Sequence, residues 1–210
     1  MFLRRRRTLD PQAAYALWAD TYPPFAHNAL MEAEQAAMER MLRPLRAGRA
    51  LDVGTGSGRY LRLLSRSGAR MIVGLDLSAA MLQRARDSGM PLVRADARRP
   101  PVASRSLDLV VASLMVGDID DLAAWTREMS SALRPGGSLL YSDFHPSWVE
   151  AGWRRTFETR DGRSWIVPYS PHSLDEHRFS VTRAGLEIVH MEEPMWKERP
   201  VLVVVQAVKK

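Results

Sequence analysis

Hydrophobic residues recur along this chain with two different periods, and the change from one to the other divides it. The first stretch is helical. Asp10 followed by Pro11 reads as the cap and first residue of a helix over 11–21. Tyr22-Pro23-Pro24 breaks it. Asn28 caps a second helix that carries Leu30, Met31, Met38, Met41, Leu42 and Leu45 on one side, and Pro44 and Gly48 end it. From residue 50 onward, short apolar runs at 50–53, 71–75, 91–93, 107–112 and 138–142 alternate with helix-like stretches at 58–67, 78–88 and 119–133. Strand and helix at this spacing predict parallel βαβ units in a doubly wound sheet. A sheet covered on both faces explains why its strands read as unbroken apolar runs.

The end of the chain has another texture. Residues 144–173 lack a helical period, and Asp161-Gly162 signals a hairpin. Ser173 opens a helix that Gly185 closes. The runs 186–191 and 201–208 follow without a crossover helix, which predicts an antiparallel pair at the sheet edge.

The densest chemical signal is Leu51-Asp-Val-Gly-Thr-Gly-Ser-Gly-Arg-Tyr60, between a predicted strand and a predicted helix. Gly54, Gly56 and Gly58 permit a sharp turn and a close ligand approach, and the following helix offers unpaired N–H groups. A dinucleotide fingerprint needs its third glycine at position 59, which is Arg59. The pattern is instead acidic-x-G-x-G-x-G, with Asp52 at the strand end.

This string resembles the first motif of the class I S-adenosylmethionine (SAM) dependent methyltransferases. Gly-Leu-Asp-Leu-Ser at 74–78, Arg-Ala-Asp-Ala at 94–97, the run 107–119 and Leu-Arg-Pro-Gly-Gly-Ser-Leu-Leu-Tyr-Ser-Asp at 133–143 resemble that family's later motifs in the same order. The resemblance covers about residues 49–143. It implies that Gly54, Thr55, Gly56 and Gly58 cradle the methionine part of SAM and that Asp52 orients its amino group. It gives Asp76, with Leu77 beside it, the two ribose hydroxyls. Met81 flanks the adenine, Asp96 with Ala97 meets the adenine amino group, and Ser113 and Leu114 follow the fourth strand on the cofactor side. Plainer readings stand beside these. Asp76 competes with Ser78 for a helix cap, Asp96 precedes the Pro100-Pro101 break as a turn residue, and Met81 fits a core position.

The expected fold is α/β. It is a Rossmann-like, doubly wound, mostly parallel seven-stranded sheet with an antiparallel edge strand and an N-terminal helical lid. The expected units are a lid at 1–48, a SAM-binding core at 49–143, a substrate-side insert at 144–172, and a helix with edge strands at 173–210. Residues 14–28 resemble the tyrosine-rich leader of small-molecule methyltransferases, including the quinone and malonyl-carrier-protein branches. Tyr15, Trp18 and Tyr22 fall on one helix face there, and His27 follows. Trp148, Trp153, Phe157, Trp165 and Tyr169 suit a flat or apolar acceptor, or a small core of the insert itself.

Catalysis is harder to read, because SAM brings its own leaving group and a base is needed only for an acceptor that must lose a proton. His145, just past the fifth strand, is the base candidate. His172 and His177 read as cap or surface residues and His190 as structural. Asp118, Asp120 and Asp121 read as the acidic start of a helix rather than a magnesium site, and no metal is expected. The chain lacks the Asn/Asp-Pro-Pro-aromatic string of amino-directed base methyltransferases and the cysteine of cytosine-C5 enzymes.

Composition changes the picture little. The 210 residues contain no cysteine, so disulfides and thiolate chemistry are excluded. The net charge is +6, yet three of the 30 cationic residues are lysines and arginine supplies the other 27. That skew reads as compositional bias more than a nucleic-acid footprint. The cluster Arg4–Arg7 is followed by no apolar segment and reads as a solvated tail, so a cytoplasmic protein without a membrane span is expected. The reading that results is methyl transfer from SAM to a small-molecule acceptor, with the methylated atom (O, N or C) open. An RNA or protein methyltransferase, a NAD-dependent oxidoreductase and a non-catalytic SAM-binding subunit are the alternatives.

Overall fold

The computed structural model describes residues 7–66 and 68–210, so Arg4 to Arg6 lie outside the described residues. The elements are β1 (Arg7–Thr8), α1 (Pro11–Trp18), α2 (Ala29–Leu42), β2 (Arg49–Val53), α3 (Arg59–Arg66), β3 (Met71–Asp76), α4 (Ala79–Ala85), β4 (Leu92–Arg94), β5 (Leu107–Ala112), α5 (Leu122–Ala132) and β6 (Leu133–Phe144). There follow α6 (Ser147–Glu150), β7 (Thr156–Glu158), β8 (Ser164–Ile166), α7 (Leu174–Arg183), β9 (Leu186–Glu192), β10 (Met195–Trp196), β11 (Arg199–Pro200) and β12 (Leu202–Lys209).

The main sheet has the order β4-β3-β2-β5-β6-β12-β9. Its first five strands are parallel. β12 runs antiparallel to both β6 and β9, so the last two strands close one edge as the predicted antiparallel pair. Alternate strand residues feed two cores. Leu51, Val53, Val110, Ala112, Leu139, Tyr141, Val203 and Val205 pack with Trp125 and Met129 of α5 and Val181 of α7. Ala50, Leu109, Val111, Leu140 and Val204 pack with Met38, Met41 and Leu42 of α2 and Leu61 and Leu64 of α3. Each such fully buried aliphatic contributes roughly 1.5–3 kcal/mol.

The predicted caps form. Asp10, Asn28 and Asp121 accept hydrogen bonds from Ala13, Met31 and Ala124 at their helix starts, and Ser173 completes a capping box with Glu176. Gly185 takes the left-handed φ of 74° past α7.

The expected lid divides in two. α2 is a core helix beneath the sheet. Only α1 belongs to a roof, and it shares that roof with the insert. Ala14 packs with Phe157, Trp165 and Val167, backed by Leu9 and Trp18. Trp18 stacks on Phe157 at 5.0 Å. β1 pairs in parallel with β8, which pairs with β7 across the predicted hairpin. Two segments about 140 residues apart thus form one small core. Among the described residues no helix is long and apolar enough to cross a membrane.

Candidate functional site

The C-terminal ends of β2, β3 and β5 open onto a cavity of about 490 Å³. The glycine loop forms part of its wall, and its three glycines do different work. All three have positive φ, 67°, 55° and 81°. A Cβ at Gly54 would meet Met115 at 2.7 Å, and one at Gly58 would meet Ala85 at 3.2 Å, so those two are glycine for packing as well. A Cβ at Gly56 would meet nothing closer than the Gly54 carbonyl at 4.0 Å. Gly56 lines the cavity, and Gly58 does not.

Asp76 ends β3 and ties that strand to the loop. One of its carboxylate oxygens accepts from the Gly56 N–H and the other from the Ser78 N–H, both at 2.8 Å. Each oxygen keeps a lone pair for a further donor. The cap of α4 is Ser78, whose hydroxyl accepts from the Met81 N–H, so Asp76 is free of that role. Burial pushes the Asp76 carboxyl above its ordinary range. Leu77, Met81, Ala97, Ser113 and Leu114 also line this cavity. Leu114 holds φ at 52° while its N–H reaches Ser142. A non-glycine residue in that region costs roughly 1–3 kcal/mol, and such strain gathers at functional sites.

Asp52 and Thr55 lie deeper. The Thr55 hydroxyl donates to Asp52 at 2.5 Å, and burial pushes the Asp52 carboxyl up to about 7. Both face a side pocket of about 40 Å³ that Tyr22, Gly56, Arg59 and Ser113 complete. Asp96 lies at the main cavity's edge with its carboxylate gripped by Arg98, which donates Nε at 3.0 Å and a terminal nitrogen at 2.7 Å. That hydrogen bonding holds Asp96 below the usual carboxylate range.

A second cavity, of about 710 Å³, lies under the roof. The two share Tyr15, Tyr22 and Leu114 as a partition. Trp18, His27, Trp148, Trp153 and Trp196 line the second cavity, so the predicted lid residues and two of the insert's aromatics converge there. Phe157 and Trp165 are instead the roof's own core, and Tyr169 lines the first cavity.

His145 is a correction. It lines neither cavity. Its Nδ1 accepts from the Ser147 N–H at 3.1 Å, which leaves Nε2 to donate to Glu193 at 3.0 Å. A ring with both nitrogens engaged has no lone pair for an acceptor's proton. His172 and His177 are buried rather than capping or exposed. His172 meets the Ile119 carbonyl and His177 meets the Tyr141 hydroxyl, while burial drives the His177 pKa down to about 3. His190 is exposed on β9. Of the three acids after β5, only Asp121 caps α5; Asp118 binds Arg155 and Asp120 accepts from Ser170.

Two site residues, Glu34 and Arg155, carried no functional weight in the sequence. Glu34 of α2 is fully buried and accepts from Arg59 at 2.8 Å and from Ser113 and Ser142 at 2.7 Å each. The signal available was a carboxylate at helical spacing between Met31 and Met38. Arg155 donates to Asp118, to the Tyr15 hydroxyl at 3.0 Å and to the Pro168 carbonyl at 2.6 Å, so it clamps the roof to the core. No local pattern announced that clamp.

Residues 51–141 match the family described as a methyltransferase domain. Over 207 residues the chain is 31% identical to the 27-O-demethylrifamycin SV methyltransferase of Amycolatopsis mediterranei, covering 88% of this chain and 73% of that one. The chain belongs to the class I SAM-dependent methyltransferases. This methyltransferase is also 35% identical over 137 residues to the malonyl-[acyl-carrier protein] O-methyltransferase of Enterobacter lignolyticus, covering 64% of this chain and 54% of that relative. The chain spans about half the length of several curated relatives it matches. A SAM-dependent methyltransferase of Mesorhizobium loti, solved by crystallography, is 26% identical and superposes with a TM-score of 0.70, covering 84% of this chain and 98% of that one.

The first cavity fits the cofactor on its own chemistry. The bare Gly56 leaves a cradle that a side chain would fill. Asp10, Asp76, Asp96, Asp118 and Asp120 line it against a single arginine, Arg98, which suits a cationic ligand rich in hydroxyl and amine donors.

Proposed function

We propose that this methyltransferase holds SAM in the acidic cavity and a small-molecule acceptor in the aromatic one, with transfer across the partition of Tyr15, Tyr22 and Leu114. The observation that carries this reading is the pair of adjoining cavities at the strand ends with that shared wall. The rifamycin and malonyl-carrier relatives, both named for O-methylation of non-nucleic-acid acceptors, support it.

SAM supplies a methyl group on a sulfonium that leaves as a neutral thioether. The chain's own task is to bind, orient and keep out water. Asp76 receives the ribose hydroxyls with its remaining lone pairs, and the Gly56 backbone lets the ligand lie against the loop. Asp52 and Arg59 face the side pocket where the methionine end belongs. Met81 and Ala97 would flank the adenine, and Asp96, its carboxylate held by Arg98, would stand at that end of the cavity. Tyr15 orients without abstracting a proton. Its hydroxyl hydrogen goes to Asp118, its oxygen accepts from Arg155, and burial holds its pKa well above the ordinary value.

Calorimetry with S-adenosylhomocysteine (SAH) and with NAD tests the cofactor half. SAH is expected to bind and NAD is not; the reverse overturns the assignment.

A further inference from the structure

The two cavities differ in charge more than in size. Five aspartates line the first. No aspartate or glutamate lines the second, which carries Arg154 and Arg155. These arginines are not equivalent. Arg155 is neutralised through the partition by Asp118, which faces the first cavity. Arg154 is exposed and has no hydrogen bond or ion pair among the described residues. An uncommitted guanidinium therefore stands at the wall of a cavity lined by Trp18, Trp148, Trp153 and Trp196.

We propose that this cavity is a site for a planar aromatic anion, with Arg154 as the residue that anchors its negative charge. The proposal rests on the reading of the second cavity as the acceptor site. The walls select flatness. Trp148 packs edge-on to Trp153 at 4.5 Å, Phe144 lies 4.8 Å from Trp148, and Trp196 continues the series at 6.2 Å from Trp153. The Trp148 N–H is spent on the Val201 carbonyl, so that indole offers the ligand carbon surface rather than a donor.

Charge selects sign. Aromatic faces taken alone favour a cation. In this cavity a cation would meet the positive charge of Arg154 with no carboxylate on the lining to offset it, which works against the attraction of the rings. An anion reverses that sign, and a guanidinium both pairs with an oxyanion and stacks on a planar ring. An acceptor bound as its anion has already released its proton to solvent. That fits a site where His145 is withdrawn and the Tyr15 hydroxyl is committed.

The test uses the full chain saturated with SAH and follows tryptophan fluorescence and calorimetry with three probes. These are 2-naphthoate (planar anion), 2-naphthylmethylammonium (planar cation) and cyclohexanecarboxylate (non-planar anion). 2-Naphthoate is expected to quench and to bind roughly tenfold or more tighter than either of the others. Arg154→Glu should weaken it by about tenfold or more and Arg154→Gln by less, with SAH affinity unchanged in both. Arg154 is exposed, so neither variant threatens the fold. Equal or tighter binding of the planar cation, or full 2-naphthoate affinity in Arg154→Glu, overturns the anion assignment. Tight cyclohexanecarboxylate binding overturns the selection for flatness. Loss of every planar probe while SAH still binds removes the acceptor site as well. Failure of SAH to bind the unaltered chain instead refutes the cofactor reading beneath it.

Discussion

The acidic cavity and the aromatic cavity meet at Tyr15, Tyr22 and Leu114, yet they are built by opposite strategies. Most of the acidic cavity comes from short strings at, or a few residues past, the ends of β2, β3, β4 and β5. The aromatic one draws on residues 15–31, on Leu114, on 144–156 and on Trp196, and no two of those segments are adjacent in the chain. A ligand common to a whole family is met by local backbone geometry. The aromatic cavity is built instead from side chains of segments far apart in the chain. The roof has a small core of its own around Phe157 and Trp165, distinct from the two cores of the sheet.

The largest expected effect lies under the acidic cavity. Glu34→Ala leaves the buried Arg59 without its ionic partner and strands two serine hydroxyls. Chemical denaturation should show a loss of about 3–5 kcal/mol. A loss below 1 kcal/mol would mean that the network does not hold the cavity wall.

Asp76→Ala should separate the two cavities. Losing two charge-assisted acceptors should weaken SAH by about 2–3 kcal/mol in calorimetry, or roughly 30- to 150-fold. 2-Naphthoate binding should hold. Combined with Arg154→Glu, the two losses should add, because the sites share no direct partner. Strong non-additivity would show that the partition transmits one cavity's state to the other.

Asp143 is fully buried beside His177, with Gly117 of the acidic cavity against it. Burial pushes its carboxyl up to about 8. The folded state therefore holds a proton that the unfolded chain releases near pH 4, and stability from this group falls as pH rises from about 4 to about 8. Asn imitates the protonated acid. Asp143→Asn should flatten that slope and stabilise the protein by about 1–3 kcal/mol at pH 8, as read from thermal unfolding. An unchanged slope would assign the pH dependence to the other buried carboxyls, Asp52 and Asp76.

The smallest effect is expected at His145. Loss of a general base costs about 10²- to 10⁴-fold. His145→Ala should instead keep kcat within about twofold and leave its pH profile unmoved, since Ser147 and Glu193 occupy both ring nitrogens. A hundredfold drop that loses an acidic limb would return it to the acceptor.

Much of the frame was legible in the chain, for reasons of range. The strand runs, the caps at Asp10, Asn28, Ser78 and Ser173, and the loop from Asp52 to Gly58 are decided by residues within about five positions of one another. Side-chain period and helix-end hydrogen bonding act over that distance. Where the reading failed, the deciding partner was remote. His145 looked free until Glu193 reached it from 48 residues away, and His177 looked exposed until Tyr141 and Asp143 were folded over it. The lid looked like one unit of two helices, but α2 was claimed by the sheet and α1 by the insert.

Sequence by itself determined the alternation of the sheet, the glycine loop with its flanking carboxylates, and hence the kind of cofactor, because those features are properties of consecutive backbone. Tertiary structure alone decided which charges survive. Asp118 neutralises Arg155 across 37 residues, and nothing does the same for its neighbour Arg154 among the described residues. A charge is spent or kept according to what stands within a few ångströms of it, and composition carries no record of that distance.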